Sequence, residues 1–192
     1  MRLVLASRNA HKIEELRRIA PEIDWAAMPP ELGDPPETGI TFEANALQKA
    51  RFVAAALGTW ALADDSGIEV DALGGRPGVW SKRYSPEGTD AANNALLLEE
   101  LQSVATRTAR YRCVIALVGP GGEHVAAGVC EGRIGKAPRG EGGFGYDPLF
   151  CPVATPGRTM AELAPLEKDA VSHRGAAMAE LPRLLSAAGL RA

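Results

Sequence analysis

The stretch Ala63-Asp64-Asp65-Ser66-Gly67 limits the possible folds more than any other part of the chain. Ahead of it, Trp60-Ala61-Leu62-Ala63 has the apolar run of a buried strand, and that strand hands two adjacent carboxylates to a Ser-Gly turn. Acids at the end of a buried strand emerge at the rim of a sheet. There a ligand can reach them, and a hard cation such as Mg²⁺ finds oxygen donors. The competing reading is an Asx-turn, in which the acids only accept local backbone N–H groups. On these residues alone both readings stand.

The chain has 192 residues, long enough to bury a sizeable core, and fits a single domain, 1–192. With 21 Lys+Arg against 24 Asp+Glu, the formal charge of −3 speaks against direct nucleic-acid binding and leaves room only for a local basic pocket. The longest apolar stretch, 52–63, is interrupted by Gly58 and Thr59 and is too short to span a bilayer, so no membrane partner is expected. Met1-Arg2-Leu3-Val4-Leu5-Ala6-Ser7 reads as a short strand and not as a secretory segment, which gives an expected cytoplasmic location. Cys113, Cys130 and Cys151 lack C-x-x-C spacing and read as buried free thiols, not as a zinc site or a disulfide framework.

Leu3 to Ala6 forms a buried-strand pattern, followed by a polar loop and a helix with Ile13, Leu16 and Ile19 on one face. Residues 28–39 hold four prolines and two glycines, a loop long enough to be functional. Thr41 caps a helix over 42–57 that Gly58 ends, and a second helix is expected over about 89–101. The period then changes: 110–118 and 124–134 are β-rich runs joined by Gly119-Pro120-Gly121-Gly122, the mark of an antiparallel hairpin. A Gly-rich loop, 140–146, and a closing helix over about 176–190 complete an α/β chain with a mixed sheet.

Four further segments can carry chemistry. Ser7-Arg8-Asn9-Ala10-His11-Lys12 lies between a strand and a helix start, where free N–H groups and the helix dipole favour phosphate. The bland reading is that Asn9 caps the helix and Lys12 is solvated. Glu37 precedes the 42–57 helix and can complete a Mg²⁺ site with Asp65, although a lone loop acid is commonly just exposed. Asn45 and Lys49 share one face of that helix and could line a polyanion cleft, although taken alone they read as a solvated polar face. In Gly142-Gly143-Phe144-Gly145-Tyr146-Asp147-Pro148, Phe144 offers a stacking face for a base and Asp147 an acceptor for a ring N–H, against the bland reading of a tight turn around a buried Phe. Ser172-His173-Arg174-Gly175, preceded by Glu167 and Lys168, supplies donors or merely a cap and surface cations. No nucleophile elbow accompanies His173.

Taken together and in order, Ser7-x-Asn9-x-x-Lys12-x-x-Glu15, Glu37-Thr38-Gly39-x-Thr41-Phe42-x-x-Asn45-Ala46-x-x-Lys49-Ala50, Ala63-Asp64-Asp65-Ser66-Gly67, Gly142 to Pro148 and Ser172-His173-Arg174-Gly175 resemble the Ham1-like, or inosine triphosphatase, family. The family comprises non-canonical purine nucleoside triphosphate pyrophosphatases. The resemblance implies hydrolysis of inosine, deoxyinosine and xanthosine triphosphates to monophosphate and pyrophosphate, which cleanses the nucleotide pool of deaminated purines. It implies Mg²⁺ as cofactor, a homodimer, and an elongated mixed β-sheet flanked by helices that form two lobes with an active-site cleft between them. By carry-over, Asp65 is the general base, with Glu37 and Asp65 at the metal. Ser7, Arg8, Asn9, Ala10, His11, Lys12 and Ser66 then hold the phosphates, while Phe144, Gly145, Tyr146, Asp147, Lys168, His173 and Arg174 hold the nucleotide and its base.

Selectivity has a simple chemical basis. A 6-oxopurine presents an acceptor at O6 and a donor at N1, and adenine reverses both. Arg174 as donor with a loop acceptor would therefore reject ATP, at roughly 1–3 kcal/mol for each group left unpaired. The sequence departs from the pattern at Ala44, where the family usually has Glu. The acid sits one residue earlier, at Glu43, and one helical residue rotates a side chain by about 100°. Weaker metal binding is one expected result. A catalytically weak or silent nucleotide-binding module is the alternative function. Trp80 and Lys82 also replace smaller residues of the pattern.

Overall fold

A computed structural model describes residues 1–190. The fold starts from β1 (Arg2–Leu5), in which Leu3, Val4 and Leu5 are buried, and α1 (Ala10–Ile19). After α1 the chain returns through β2 (Asp24–Ala27), which pairs parallel with β1 in the register Leu3↔Trp25. The proline-rich segment carries only a 3₁₀ turn, Pro30–Leu32, because prolines remove the N–H groups that a longer helix needs. Thr41 Oγ1 accepts from Ala44 N and opens α2 (Phe42–Leu57), and Gly58 closes it at φ 62°, a left-handed conformation that suits glycine.

β3 (Ala61–Val70) lies parallel to β1 with Val4 opposite Ala61. A strand that ended at Ala63 was expected; it continues through Asp64, Asp65, Ser66 and Gly67. Ile68 and Val70, both buried, extend the β pattern, so core packing outweighs the local turn preference of Ser-Gly. Thr89 caps α3 (Asp90–Glu100). β4 (Thr108–Gly119) and β5 (Gly122–Ile134) are sheet neighbours joined through Pro120-Gly121, a link short enough only for antiparallel strands, as expected. β6 (Phe150–Pro152) pairs antiparallel with β5, giving one mixed sheet of order β2-β1-β3-β4-β5-β6.

α4 (Pro165–Val171), α5 (His173–Met178) and α6 (Leu181–Ala187) follow. The single closing helix expected over 176–190 is thus two shorter ones: Pro182 sits in the first turn of α6, where its missing N–H costs nothing, but it cannot continue a helix from α5. All three cysteines are buried and free, as expected. No described helix is long and apolar enough to cross a membrane.

The chain divides into two compact units, and the divisions fall inside β3, β4, β5 and α5. The first comprises Met1–Asp65, Cys113–Gly128 and the described chain from Arg174 on; the second comprises Ser66–Arg112 and Val129–His173. Leu3, Leu5, Leu16, Leu62, Ile115 and Leu184 belong to the core of the first. Ile68, Leu97, Leu101, Tyr111, Phe150 and Met160 belong to that of the second.

Candidate active site

In the first unit the chemistry is organised by β3. Successive strand residues point to opposite faces, so Asp64 and Asp65, though adjacent, meet different partners. Asp64 is 1 % exposed; its Oδ2 lies 3.0 Å from Lys12 Nζ and accepts from Arg174 Nη2 at 3.0 Å. Arg174, itself buried, also pairs with Glu15 of α1. Burial alone would raise the Asp64 carboxyl, but Lys12, Arg174 and Lys49 together hold it well below the ordinary carboxylate range. The network balances two cations with two acids in the interior, the condition under which buried charge is tolerated.

Asp65 turns to α2. Its Oδ1 accepts from Lys49 Nζ at 2.9 Å and its Oδ2 from Asn45 Nδ2 at 3.2 Å. Lys49 Nζ also donates to Glu37 Oε1 at 2.8 Å, so Glu37 and Asp65 converge on a single positive charge. Burial lifts the Asp65 carboxyl above its ordinary value, and the pull of Lys49 and Lys12 does not overcome it. The Glu37 loop is docked on α2: Thr38 N donates to Gln48 Oε1 at 3.0 Å and Gly39 N to Asn45 Oδ1 at 2.7 Å. A Cβ at Gly39 would stand 2.7 Å from Ala44 Cβ, which explains glycine there. Asn45 and Lys49 are buried, in contrast to the solvated face their spacing suggested; their partners come from a loop and a strand that the helix sequence does not reveal.

Two carboxylates directed at one cation make a donor set that suits Mg²⁺, which takes one or two protein carboxylates and completes its shell with water and phosphate oxygens. Among the described residues no group of three or more His, Cys, Asp or Glu forms a metal cage of protein ligands alone. Glu43 is exposed while Ala44 is half-buried and Asn45 buried, so Glu43 does not stand in for an acid at position 44.

The 7–12 segment combines both of its readings. Asn9 Oδ1 accepts from His11 N at 3.1 Å and Lys12 N at 3.3 Å, so it caps α1, and Ser7 Oγ accepts from Asn9 N at 3.2 Å. Ala10 and His11 are exposed in the first turn, and half-buried Lys12 is held by Asp64. Arg8 reaches the proline-rich loop, donating to Asp34 Oδ1 and to the carbonyls of Pro30 and Gly33, each at 3.0 Å. Ser66, half-buried, follows Asp65 in β3.

In the second unit Asp147 is the centre. Its Oδ2 accepts from Lys168 Nζ at 2.6 Å and Phe144 N at 2.9 Å, and its Oδ1 from Tyr111 Oη at 3.1 Å. Gly143 has φ 72°, and a Cβ there would fall 2.1 Å from Asp147 Oδ2, so the loop closes on its acid only with glycine. Lys168 Nζ lies 4.8 Å from the Phe144 ring centroid, and His173 stacks on Tyr111 at 4.5 Å. Gly145 is gripped by α3: its N donates to Asp90 Oδ2 at 2.6 Å and its O accepts from Asn94 Nδ2 at 2.8 Å. Tyr146 is buried with its hydroxyl on Ser81 O at 2.8 Å, an anchor for the loop.

The sequence-derived residues therefore form two clusters: Lys12, Glu37 and Asp65 with Asp64, Asn45 and Lys49 in the first unit, and Phe144, Asp147, Lys168 and His173 with Tyr111 in the second. Arg174 is placed in the first, on Asp64 and Glu15. Tyr111 belongs to no motif, since an aromatic in an apolar strand reads as core. Trp80 is exposed beside Arg83, with 4.8 Å from the guanidinium to the ring centroid.

The model of the Ham1 family matches residues 3–184 and so takes in both clusters. A relative from Nocardia farcinica named dITP/XTP pyrophosphatase is 52% identical, covering 97% of this chain and 95% of its own. One of the same name from Geobacter sulfurreducens is also 52% identical, with 94% of each chain covered. The solved structure of the Staphylococcus aureus Ham1 protein superposes with a TM-score of 0.86 at 39% identity, covering 97% of this chain and 99% of that one. Sequence and fold agree over nearly the whole length, and the chain belongs to the Ham1 family.

Proposed function

We propose that this chain is a Mg²⁺-dependent nucleoside triphosphate pyrophosphatase acting on deaminated purine nucleotides, those of inosine, deoxyinosine and xanthosine. The observation that carries the reading is the convergence of Glu37 and Asp65 on one positive charge. The names of the relatives from Nocardia farcinica and Geobacter sulfurreducens support the substrate class. Glu37 and Asp65 would hold Mg²⁺, which supplies neutralisation of phosphate charge when bound. Asp65, its basicity raised by burial, takes a proton from water as the water oxygen bonds to the α-phosphorus. The bond from that phosphorus to the bridging oxygen breaks, and the bridging oxygen leaves with pyrophosphate. Lys12, Lys49, Ser7, Ser66 and the α1 N-terminus face the phosphate charge. Phe144 stacks the base. Lys168, held by Asp147 beside Phe144, is the cation of that cluster suited to serve O6. A cytoplasmic homodimer is part of the same proposal.

The test is pyrophosphate release from inosine, xanthosine, guanosine and adenosine triphosphates with Mg²⁺, comparing the natural chain with Asp65→Asn. Release from the first two, lost in the variant, is expected. No release from any, with inosine triphosphate still bound, would favour the silent nucleotide-binding module to which Ala44 points.

A further inference from the structure

Tyr111 sits on β4 between Arg110 and Arg112, which face outward to Asp71, Glu131 and Glu69, so strand alternation turns the tyrosine inward. It is 6 % exposed. Its ring lies parallel to the His173 imidazole, with 4.5 Å between centroids and 9° between planes, and against Phe150 at 4.6 Å. Its hydroxyl donates to Asp147 Oδ1, while Lys168 Nζ and Phe144 N donate to Oδ2. The terminal torsion of an aspartate is broad, and donors on one oxygen alone leave the carboxylate free to swing about it. A donor on the second oxygen removes that freedom.

Building on the function proposed above, we infer that Tyr111 is a positioning residue for base selection. Its hydroxyl fixes the plane of the Asp147 carboxylate and thereby the Lys168 ammonium and the Phe144 amide; its ring fixes the His173 imidazole. One side chain from outside every motif thus couples the two segments that the base would meet. The hydroxyl acts on how well a 6-oxopurine is held and told from adenine, not on the water-activating step, which belongs to Asp65.

Tyr111→Phe removes one oxygen and keeps both ring contacts, so it separates positioning from packing. For inosine triphosphate with Mg²⁺, KM is expected to rise roughly fivefold to tenfold, the scale of one ordinary hydrogen bond felt through Asp147, with kcat within about twofold. The ratio of kcat/KM for inosine over adenosine triphosphate should fall by a similar factor. Tyr111→Leu, which also removes the His173 stack, should lower that ratio further. An active natural chain whose Tyr111→Phe form keeps its KM and its ratio would overturn the inference. So would a Tyr111→Phe form that is insoluble or loses kcat along with stability, since the hydroxyl would then be a folding determinant. A natural chain that releases no pyrophosphate would instead remove the function on which the inference rests.

Discussion

Two faces of one strand, one residue apart, treat the same side chain in opposite ways. Toward α1 and α5, Asp64 is sealed among Lys12, Arg174 and Glu15, and its carboxyl is held below the ordinary range. Toward α2, Asp65 shares Lys49 with a loop glutamate, and burial lifts its carboxyl above that range. The first acid is spent on holding α1 and α5 to the sheet. The second keeps a carboxyl that burial has lifted, beside a cation it shares with Glu37. Chemical identity says little here; the number of cations that each face supplies decides the role.

The comparison is broken most severely by Asp65→Asn, which should cut pyrophosphate release about 10³-fold, within the range for loss of a general base, while denaturant stability stays within about 1 kcal/mol. Asp64→Asn should do the reverse. It leaves Lys12 and Arg174 undercompensated in the interior, at a cost of roughly 3–5 kcal/mol read from urea unfolding. Loss of activity without loss of stability in that variant would place Asp64 in the chemistry and erase the contrast. A smaller effect is expected of Lys49→Gln: kcat/KM down about tenfold to a hundredfold, because the phosphates lose a cation and the carboxylates of Glu37 and Asp65 lose the group that holds them in place.

The smallest effect sharpens the contrast through pH. The stabilisation from Asp64, whose folded value is depressed, is complete above the unfolded carboxylate value of about 4 and is lost as pH falls through the lower folded value. Asp65 has a raised folded value. Its penalty is absent in acid and sets in as pH rises from about 4 through that value. Urea midpoints followed from pH 6 to pH 3 should therefore fall less steeply in Asp64→Asn than in the natural chain, and more steeply in Asp65→Asn.

The elements that carry these acids were largely legible in the sequence. Buried-strand runs, the Thr41 cap, Gly58 and the Pro120-Gly121 hairpin each act within a few residues, and each is found as read. Misreadings arose where distant partners decide. The strand continues past Asp65 because Ile68 and Val70 pack into a core, against the local preference of Ser-Gly. The partners of Arg174, Asp64 and Glu15, lie 110 and 159 residues away in the chain, so its own motif does not show them. The hydroxyl of Tyr111 finds Asp147 36 residues on, and no local pattern announces it. Two prolines are local signals of the other kind: Pro165 opens α4, and Pro182 marks a helix start inside the expected closing helix.

That β3 runs unbroken through Asp64 and Asp65 has a consequence for how such a chain can change in length. Loops accept insertions with little cost, as the proline-rich segment illustrates. Inside β3, ahead of the acids, an inserted residue that shifted the strand by one place would put Ala63 where Asp64 stands and Asp64 where Asp65 stands, and a deleted one would put Asp65 where Asp64 stands and Ser66 where Asp65 stands. Either way one of the two places keeps an aspartate and the other loses it: an insertion takes that acid from Lys12 and Arg174, a deletion from Lys49 and Asn45. A length change here thus acts as a substitution at a site two residues wide, which the loop does not have.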